Sequence, residues 1–237
     1  MEEKTKADIL SHANKEFPRE CCGLIIIEKG KEVFVPCKNV SSQKDSFVIS
    51  PDDYILAYSR GSIISVVHSH CYSRAAPSQI DLVSCETTKI PWHIVSLPNE
   101  EWAYFEPTGY KAPLVGRNYQ YGVLDCYTLA VDWYKEVFGV QLNEHLNRPE
   151  EWWKNGGNIF MEQFQDEGFV RIDGPLKEGD IILMQFCSSV VNHVGVYLEP
   201  NLILHHLGNR LSTRDIYGGW LRKITTGYLR HSSRMAK

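Results

Sequence analysis

The sequence lacks features that several function classes require. It has no surplus of basic residues, since 25 Lys and Arg stand against 29 Asp and Glu and the formal net charge is −4. Nucleic-acid-binding domains and polybasic membrane anchors carry such a surplus. The longest uncharged apolar run, residues 21–27, is far shorter than the ~20 residues that cross a bilayer. We therefore expect neither a nucleic-acid partner nor insertion into a membrane.

The N-terminus has no pattern of a secretion signal. Its first ten residues, MEEKTKADIL, are acidic where a signal peptide is basic and then apolar. The seven cysteines are odd in number and form no CxxC pair, which argues against a disulfide framework. We expect mostly reduced thiols in a cytosolic product, and one of them is a candidate nucleophile.

The overall composition is typical of a globular protein, with 43% hydrophobic and 23% charged residues. A chain of 237 residues holds one large domain or two small ones. Residues 105–118 carry two prolines and two glycines without a clear period, which is typical of a linker. We therefore predict an α+β chain with two domains, residues 1–108 and 109–237.

Hydrophobic periodicity and turn residues predict helices and strands in both domains. The predicted helices are 5–17, 52–60, 76–88 and 125–138, with partly helical structure over 151–170. The predicted strands are 22–28, 31–36, 62–70, 92–98, 180–186, 193–198 and 202–207.

Two histidines, His68 and His70, end the strand predicted over 62–70. Residues two apart on a strand point to the same face, so both imidazoles can bind one metal ion. Ten residues separate His70 from Asp81, which lies in the first turn of the next predicted helix. Two histidines and one carboxylate leave a fourth position for water, as in catalytic zinc sites. The alternatives are an ordinary surface or core His pair and a simple capping box formed by Ser78 and Asp81.

The segment HSHCYSRAAPSQID resembles the metal signature of the JAB/MPN (JAMM) metalloprotease family: His-x-His, seven residues, Ser, two residues, Asp. This resemblance implies a mixed sheet with helices, similar to cytidine deaminases, and Zn²⁺ bound by His68, His70 and Asp81. It also implies that Glu20, in RECCGLIII, is the general base and that Ser78 helps to hold the oxyanion. Cys71 departs from the family, many members of which have Pro there.

Cys126 follows Asp125 at the start of the helix predicted over 125–138. Backbone N–H groups and the helix dipole at that position favour a thiolate, which makes this cysteine a candidate nucleophile. The alternative is a buried, inert cysteine.

His193 and His205 lie on two strands separated by a turn at Glu199-Pro200-Asn201. A three-residue loop pairs residue 195 with 205 and places the two histidines on one face as diagonal neighbours. A two-residue loop places them on opposite faces. The sequence does not choose between these registers.

The segments YQYGVLDCYTLAVDWY, NHVGVYL and LILHHLG resemble NlpC-type papain-like cysteine peptidases, which cleave cell-wall peptides. The resemblance implies a papain-like α+β domain that needs no cofactor. By the match, Cys126 is the nucleophile, His193 the general base and His205 the residue that orients the base. Tyr119 is expected on the oxyanion side. Tyr127-Thr128 replaces the usual Ser-Gly, and the loop before Asp125 is shorter than usual.

The order of the two domains resembles the tail tip assembly proteins of lambda-like siphophages. That resemblance implies a bifunctional tail tip peptidase, made in the host cytoplasm without a signal peptide, with phage tail tip proteins as partners and peptidoglycan stem peptides as substrate. The bond expected for the cysteine domain is the D-γ-glutamyl–diamino acid bond. Two alternatives stay open: a structural assembly factor without turnover, and a cellular JAMM isopeptidase with an accessory domain.

Overall fold

Two units, Met1–Lys111 and Ala112–Lys237, make up the chain in the computed structural model, which describes residues 1–143 and 148–235. Each unit combines helices with one β-sheet, as the predicted α+β class requires. Among the described helices, none has both the length and the apolar character needed to cross a membrane.

The N-terminal unit is built on a mixed five-stranded sheet in the order β2-β1-β3-β4-β5. Only β3 and β4 run parallel, with helix α3 between them in the chain. The elements are α1 (Glu3–Glu16), β1 (Cys22–Glu28), β2 (Lys31–Cys37), α2 (Pro51–Arg60), β3 (Ser62–Cys71), α3 (Gln79–Thr88), β4 (Trp92–Leu97) and β5 (Trp102–Phe105).

Local signals in the sequence explain where several of these elements begin and end. Lys29 and Gly30 both have positive φ (51° and 78°), the backbone shape that suits a two-residue hairpin turn between β1 and β2. Ser50 caps α2, and Pro51 occupies its first turn, where a missing N–H costs nothing. Both signals are local to the sequence, and the strands predicted over 22–28 and 31–36 and the helix predicted over 52–60 flank them.

Apolar side chains cover both faces of this sheet. Ile9 and Ala13 of α1 pack with Val67 and Val95 on one face. On the other face, residues of α2 and α3 pack with strand residues: Ala57, Cys85, Leu24, Val66 and Trp92. His68 and His70 have the parity of Val66 in β3, so they lie on this second face, beyond the apolar core.

The C-terminal unit is built on a six-stranded antiparallel sheet in the order β10-β9-β8-β7-β11-β6. Helix α4 packs against β8, and Leu221 of α6 packs with Ile182, Met184 and Ile203 of the sheet. The elements are α4 (Cys126–Trp133), α5 (Ile159–Gln163), β6 (Phe169–Ile172), β7 (Ile181–Met184), β8 (His193–Leu198), β9 (Leu202–His205), β10 (Thr213–Ile216), α6 (Gly219–Ile224) and β11 (Thr225–His231).

The helix predicted over 125–138 is shorter than its periodicity indicates. α4 ends at Trp133, and Tyr134–Phe138 continue as a π-helical turn that stops at Gly139, whose φ is 64°. The partly helical segment 151–170 contains a 3-10 turn (Trp152–Asn155) and α5 before β6 begins.

Candidate functional site

His68, His70 and Asp81 lie together where β3 ends and α3 begins. Nε2 of His68 is 3.1 Å from Nε2 of His70 and 3.2 Å from Oδ1 of Asp81. Nε2 of His70 is 3.4 Å from Oδ2 of Asp81. Within residues 1–143 and 148–235, these three side chains are the group that can hold a metal ion.

The spacing of these donor atoms fits zinc. Ligand atoms about 2.0–2.1 Å from a tetrahedral ion lie ~3.3 Å from one another, and the measured separations run from 3.1 to 3.4 Å. Nδ1 of His70 is 3.0 Å from the carbonyl oxygen of Arg74. A ring N–H that donates to this carbonyl leaves the Nε2 lone pair free for a metal, as is usual for ligating histidines.

Asp81 is held in place by the start of α3. Ser78 caps the helix: its hydroxyl oxygen accepts from the backbone N–H of Asp81 at 3.2 Å, and its own N–H donates to Oδ2 of Asp81 at 2.7 Å. Burial opposes ionisation of this carboxyl, but its bonds to His68 and His70 outweigh burial and hold the pKa of Asp81 well below its usual range. The capping box and the donor cluster thus use the same two residues, so the two interpretations of Ser78 and Asp81 are compatible.

Glu20 lies beside this cluster, just before β1. Cys22 is opposite His68 in the register between β1 and β3, and the backbone N–H of Ser69 donates to the carbonyl of Cys21. Glu20 itself is buried, with 7% of its surface exposed. Burial raises the pKa of Glu20 to about 7, although His70 opposes this shift. A carboxyl group with a pKa near neutrality can both accept and release a proton.

The second candidate site begins at Cys126, the first residue of α4. Oδ1 of Asp125 accepts from the backbone N–H groups of Tyr127 and Thr128 at 2.9 and 3.0 Å, so Asp125 caps the helix. This environment does not favour the thiolate that the helix start predicts. Burial, reinforced by Asp125, raises the pKa of Cys126 to about 12, and the nearby N–H groups and Arg148 offset it only in part. The thiol therefore needs a base.

His193 and His205 adopt the register of the three-residue loop. Gly195 pairs with His205 and Leu198 with Leu202, so the histidines are diagonal neighbours on one face. Nε2 of His193 is 3.1 Å from Nδ1 of His205. A Cβ at Gly195 would lie 2.5 Å from Cδ1 of Ile203 and 3.2 Å from Cβ of His205, so the close approach of side chains on this face requires a glycine there.

Burial and the neighbouring His205 and His206 lower the pKa of His193 well below its usual value near 6.5. A neutral imidazole can accept a proton, so His193 is chemically suited to act as a base. Tyr119, Cys126 and His193 line one pocket, whose aromatic walls include Trp152, Trp153 and Phe186. The structure thus brings the sequence-predicted residues Tyr119, Cys126 and His193 to one pocket, with His205 buried behind His193.

Two residues of this site were missed by sequence reasoning. Oδ2 of Asp215, on β10, is 3.0 Å from Nε2 of His205. Arg148 lines the pocket and binds Oδ2 of Asp125 at 2.9 Å, and its guanidinium lies 4.6 Å from the ring centre of Tyr127. Asp215 lies in a short polar strand and Arg148 in a stretch without periodicity, so neither carried a usable signal.

Arg148 and Asp125 form a buried ion pair, with 5% and 1% of their side chains exposed. We expect Arg148→Met to lower the free energy of unfolding by about 3 kcal/mol, because it leaves a buried carboxylate without its cation. Urea denaturation measures this. The double variant Arg148→Met/Asp125→Asn should recover part of the loss, and a double variant less stable than the single one would contradict the pairing.

Comparison with known proteins places both units in families. Residues 2–106 match the model of prokaryotic homologs of the JAB domain, and residues 116–230 match the NlpC/P60 family. A JAB1/MPN domain protein from Archaeoglobus fulgidus is 23% identical with a TM-score of 0.30, covering 46% of this chain and 90% of that one. The chain thus joins a domain of metallopeptidase type to one of a cysteine peptidase family.

Two relatives that match most of the chain identify its family. Tail tip assembly protein K of Escherichia phage N15 is 36% identical over 235 residues, which cover 98% of this chain and 96% of that protein. Tail tip assembly protein K of Escherichia phage lambda is 30% identical over 184 residues, or 77% and 89% of the two chains. The chain belongs to the tail tip assembly protein K family.

Proposed function

We propose that this protein is a bifunctional peptidase of the phage tail tip. The C-terminal unit cleaves peptidoglycan stem peptides, at the D-γ-glutamyl–diamino acid bond, and so helps the tail to penetrate the cell wall. The N-terminal unit cleaves a peptide or isopeptide bond and acts in tail assembly with other tail proteins. The observation that carries the first part is the ordered set Cys126, His193 and His205, with the 3.1 Å bond between the two rings.

The cysteine centre works by acyl transfer. His193 removes the proton from the Cys126 thiol as the sulfur attacks the amide carbonyl carbon. The hydroxyl of Tyr119 donates a hydrogen bond to the carbonyl oxygen as it gains negative charge. His193 then returns the proton to the leaving amine, and the C–N bond breaks to leave a thioester on Cys126. Water, deprotonated by His193, hydrolyses the thioester and restores the thiol.

At the other centre, His68, His70 and Asp81 would hold zinc. A bound zinc ion supplies Lewis acidity and makes water a stronger nucleophile at neutral pH. Glu20 accepts the proton of the attacking water and passes it to the leaving amine. Ser78 directs its hydroxyl hydrogen to the developing oxyanion while its oxygen caps α3.

The pH dependence of the cysteine centre follows from the burial of His193. Its pKa lies well below 6.5, so the neutral base persists as the pH falls through that value and is lost only in more acidic solution. We expect kcat/KM for peptide hydrolysis to stay nearly constant from about pH 8 to about pH 6.5 and to decline below that range. A half-maximal rate above pH 6.5 would contradict this assignment of the base.

Mass spectrometry of fragments released from purified sacculi tests the proposed function. The wild-type protein should release stem-peptide fragments with one defined new terminus, and Cys126→Ala should release none. If the zinc-loaded, folded wild-type protein releases nothing from sacculi and cleaves no soluble muropeptide, the peptidase proposal for the C-terminal unit is wrong. A structural role in assembly would then account for the family resemblance.

A further inference from the structure

A carboxylate stands behind the two histidines of the cysteine centre. His205 pairs with Gly195 on β8 and with Thr213 on β10. His193 is two residues from the first of these partners, and Asp215 is two residues from the second. The same diagonal step is therefore taken twice across three neighbouring strands, and the three side chains share one face of the sheet. The bonds are 3.1 Å from His193 to His205 and 3.0 Å from His205 to Asp215.

Asp215, the last residue of this hydrogen-bonded series, determines which ring nitrogens carry protons. An ionised carboxylate only accepts hydrogen bonds, and Arg210 pairs with the same oxygen of Asp215 at 3.2 Å. Nε2 of His205 must then carry a proton and donate it. Burial lowers the pKa of both histidines, so each neutral ring has one N–H. Nδ1 of His205 is bare and accepts from Nε2–H of His193.

This arrangement of protons determines the state of Nδ1 of His193. Since Nε2 of His193 carries the proton, its Nδ1 is the basic nitrogen. Nε2 is engaged by His205, so Nδ1 is the atom available to the Cys126 thiol in the shared pocket. The reversed chain, in which Nδ1 of each ring carries the proton, satisfies the bond between the rings equally well. It leaves Nδ1 of His193 without a lone pair for the thiol proton, and it places the bare Nε2 of His205 against an oxygen of the Asp215 carboxylate, with no proton between them.

We propose that Asp215 is the positioning residue that selects this tautomer of both histidines and thereby makes His193 a base. The inference rests on the proposed function for its effect on rate, but the proton positions do not depend on turnover. Asp215 touches neither substrate nor thiol, because His205 and His193 stand between. Its side chain is 32% exposed, so its removal opens no large cavity.

Long-range ¹H–¹⁵N correlation spectra of ¹⁵N-histidine-labelled protein read the tautomer of each ring directly. We compare the wild-type full chain with Asp215→Ala and with Asp215→Val, which keeps a strand-favouring side chain if alanine disturbs β10. Asp173→Ala, at an exposed position, is the matched control. Wild type and control should show Nε2–H and bare Nδ1 at both His193 and His205. The Asp215 variants should show a population of His193 with Nδ1–H.

Kinetics supply the second measurement. In the Asp215 variants kcat should fall roughly 10- to 100-fold with little change in KM, less than the ~10⁴-fold cost of the wrong tautomer where a carboxylate contacts the catalytic histidine directly. Unchanged tautomers in a folded Asp215→Val protein would overturn the inference, as would an undiminished kcat. If the tautomers shift but the wild-type protein cleaves no stem peptide, the proposed function fails and the tautomer role of Asp215 stands.

Discussion

Cys126→Ala is expected to lower hydrolysis of a soluble stem peptide by the cysteine centre by roughly 10⁴-fold or more, the scale seen when a covalent nucleophile is removed. The loss is large because, in the proposed mechanism, the sulfur of Cys126 carries the acyl group, while Tyr119 and His193, which line the same pocket, only assist its attack. The rate of product formation, followed by chromatography, measures the effect.

The variant should stay folded, because the substitution removes a single sulfur atom and keeps the helix start. Asp125 still caps α4 through the backbone N–H groups of Tyr127 and Thr128. Cys187→Ala is the matched control, since Cys187 is an exposed free cysteine, and its rate should equal that of the wild type. A Cys126→Ala protein that retains more than about a tenth of the rate would contradict a nucleophilic role.

Asp81→Asn is expected to abolish stable zinc binding at the other centre. The amide keeps an oxygen for the backbone N–H of Ser78 but lacks the negative charge that a metal ligand supplies. We expect zinc affinity to fall by more than ~100-fold, since losing a direct ligand costs more than losing an outer hydrogen-bond partner. Metal analysis after dialysis against zinc should give one ion per wild-type chain and a small fraction of that in the variant.

Thermal unfolding gives an independent measure of the same site. Zinc at 100 times its dissociation constant stabilises a folded protein by about 2.7 kcal/mol, so zinc should raise the unfolding temperature of the wild type and leave that of Asp81→Asn nearly unchanged. Glu20→Gln is the matched control, because Glu20 is assigned as a base and not as a ligand. That variant should bind zinc and lose hydrolysis. Equal zinc contents in wild type and Asp81→Asn would refute the ligand assignment.

The sequence specified those parts of the fold whose signals are local. The nine-residue segment 62–70, an apolar strand pattern that ends in His-x-His, and the Ser-x-x-Asp at the next helix start determine where the donors lie along the chain. Only the fold shows that their atoms come within 3.1 to 3.4 Å. The β8–β9 hairpin left two registers open, and the structure has the one in which His193 and His205 meet.

Other parts could not be predicted because tertiary contacts decide them. β10 has four residues, TRDI, whose side chains alternate between half-buried and exposed. No pattern in this segment indicates that Asp215 would contact His205. The side chain of Arg148 packs against the rings of Tyr127 on α4 and Phe160 on α5, contacts that no local pattern around residue 148 indicates. The helix start at Cys126 favours a thiolate, but burial has the larger effect on this thiol.

The central claim is that Cys126 attacks the substrate and carries its acyl group. Acid quenching of the full-length protein during turnover of a stem peptide, followed by intact mass measurement and peptide mapping, tests that claim most directly. We predict an added mass equal to the acyl half of the substrate, located on the peptide that contains Cys126 and absent from Cys126→Ala. Product release without any adduct, at the same rate in wild type and Cys126→Ala, would contradict the claim.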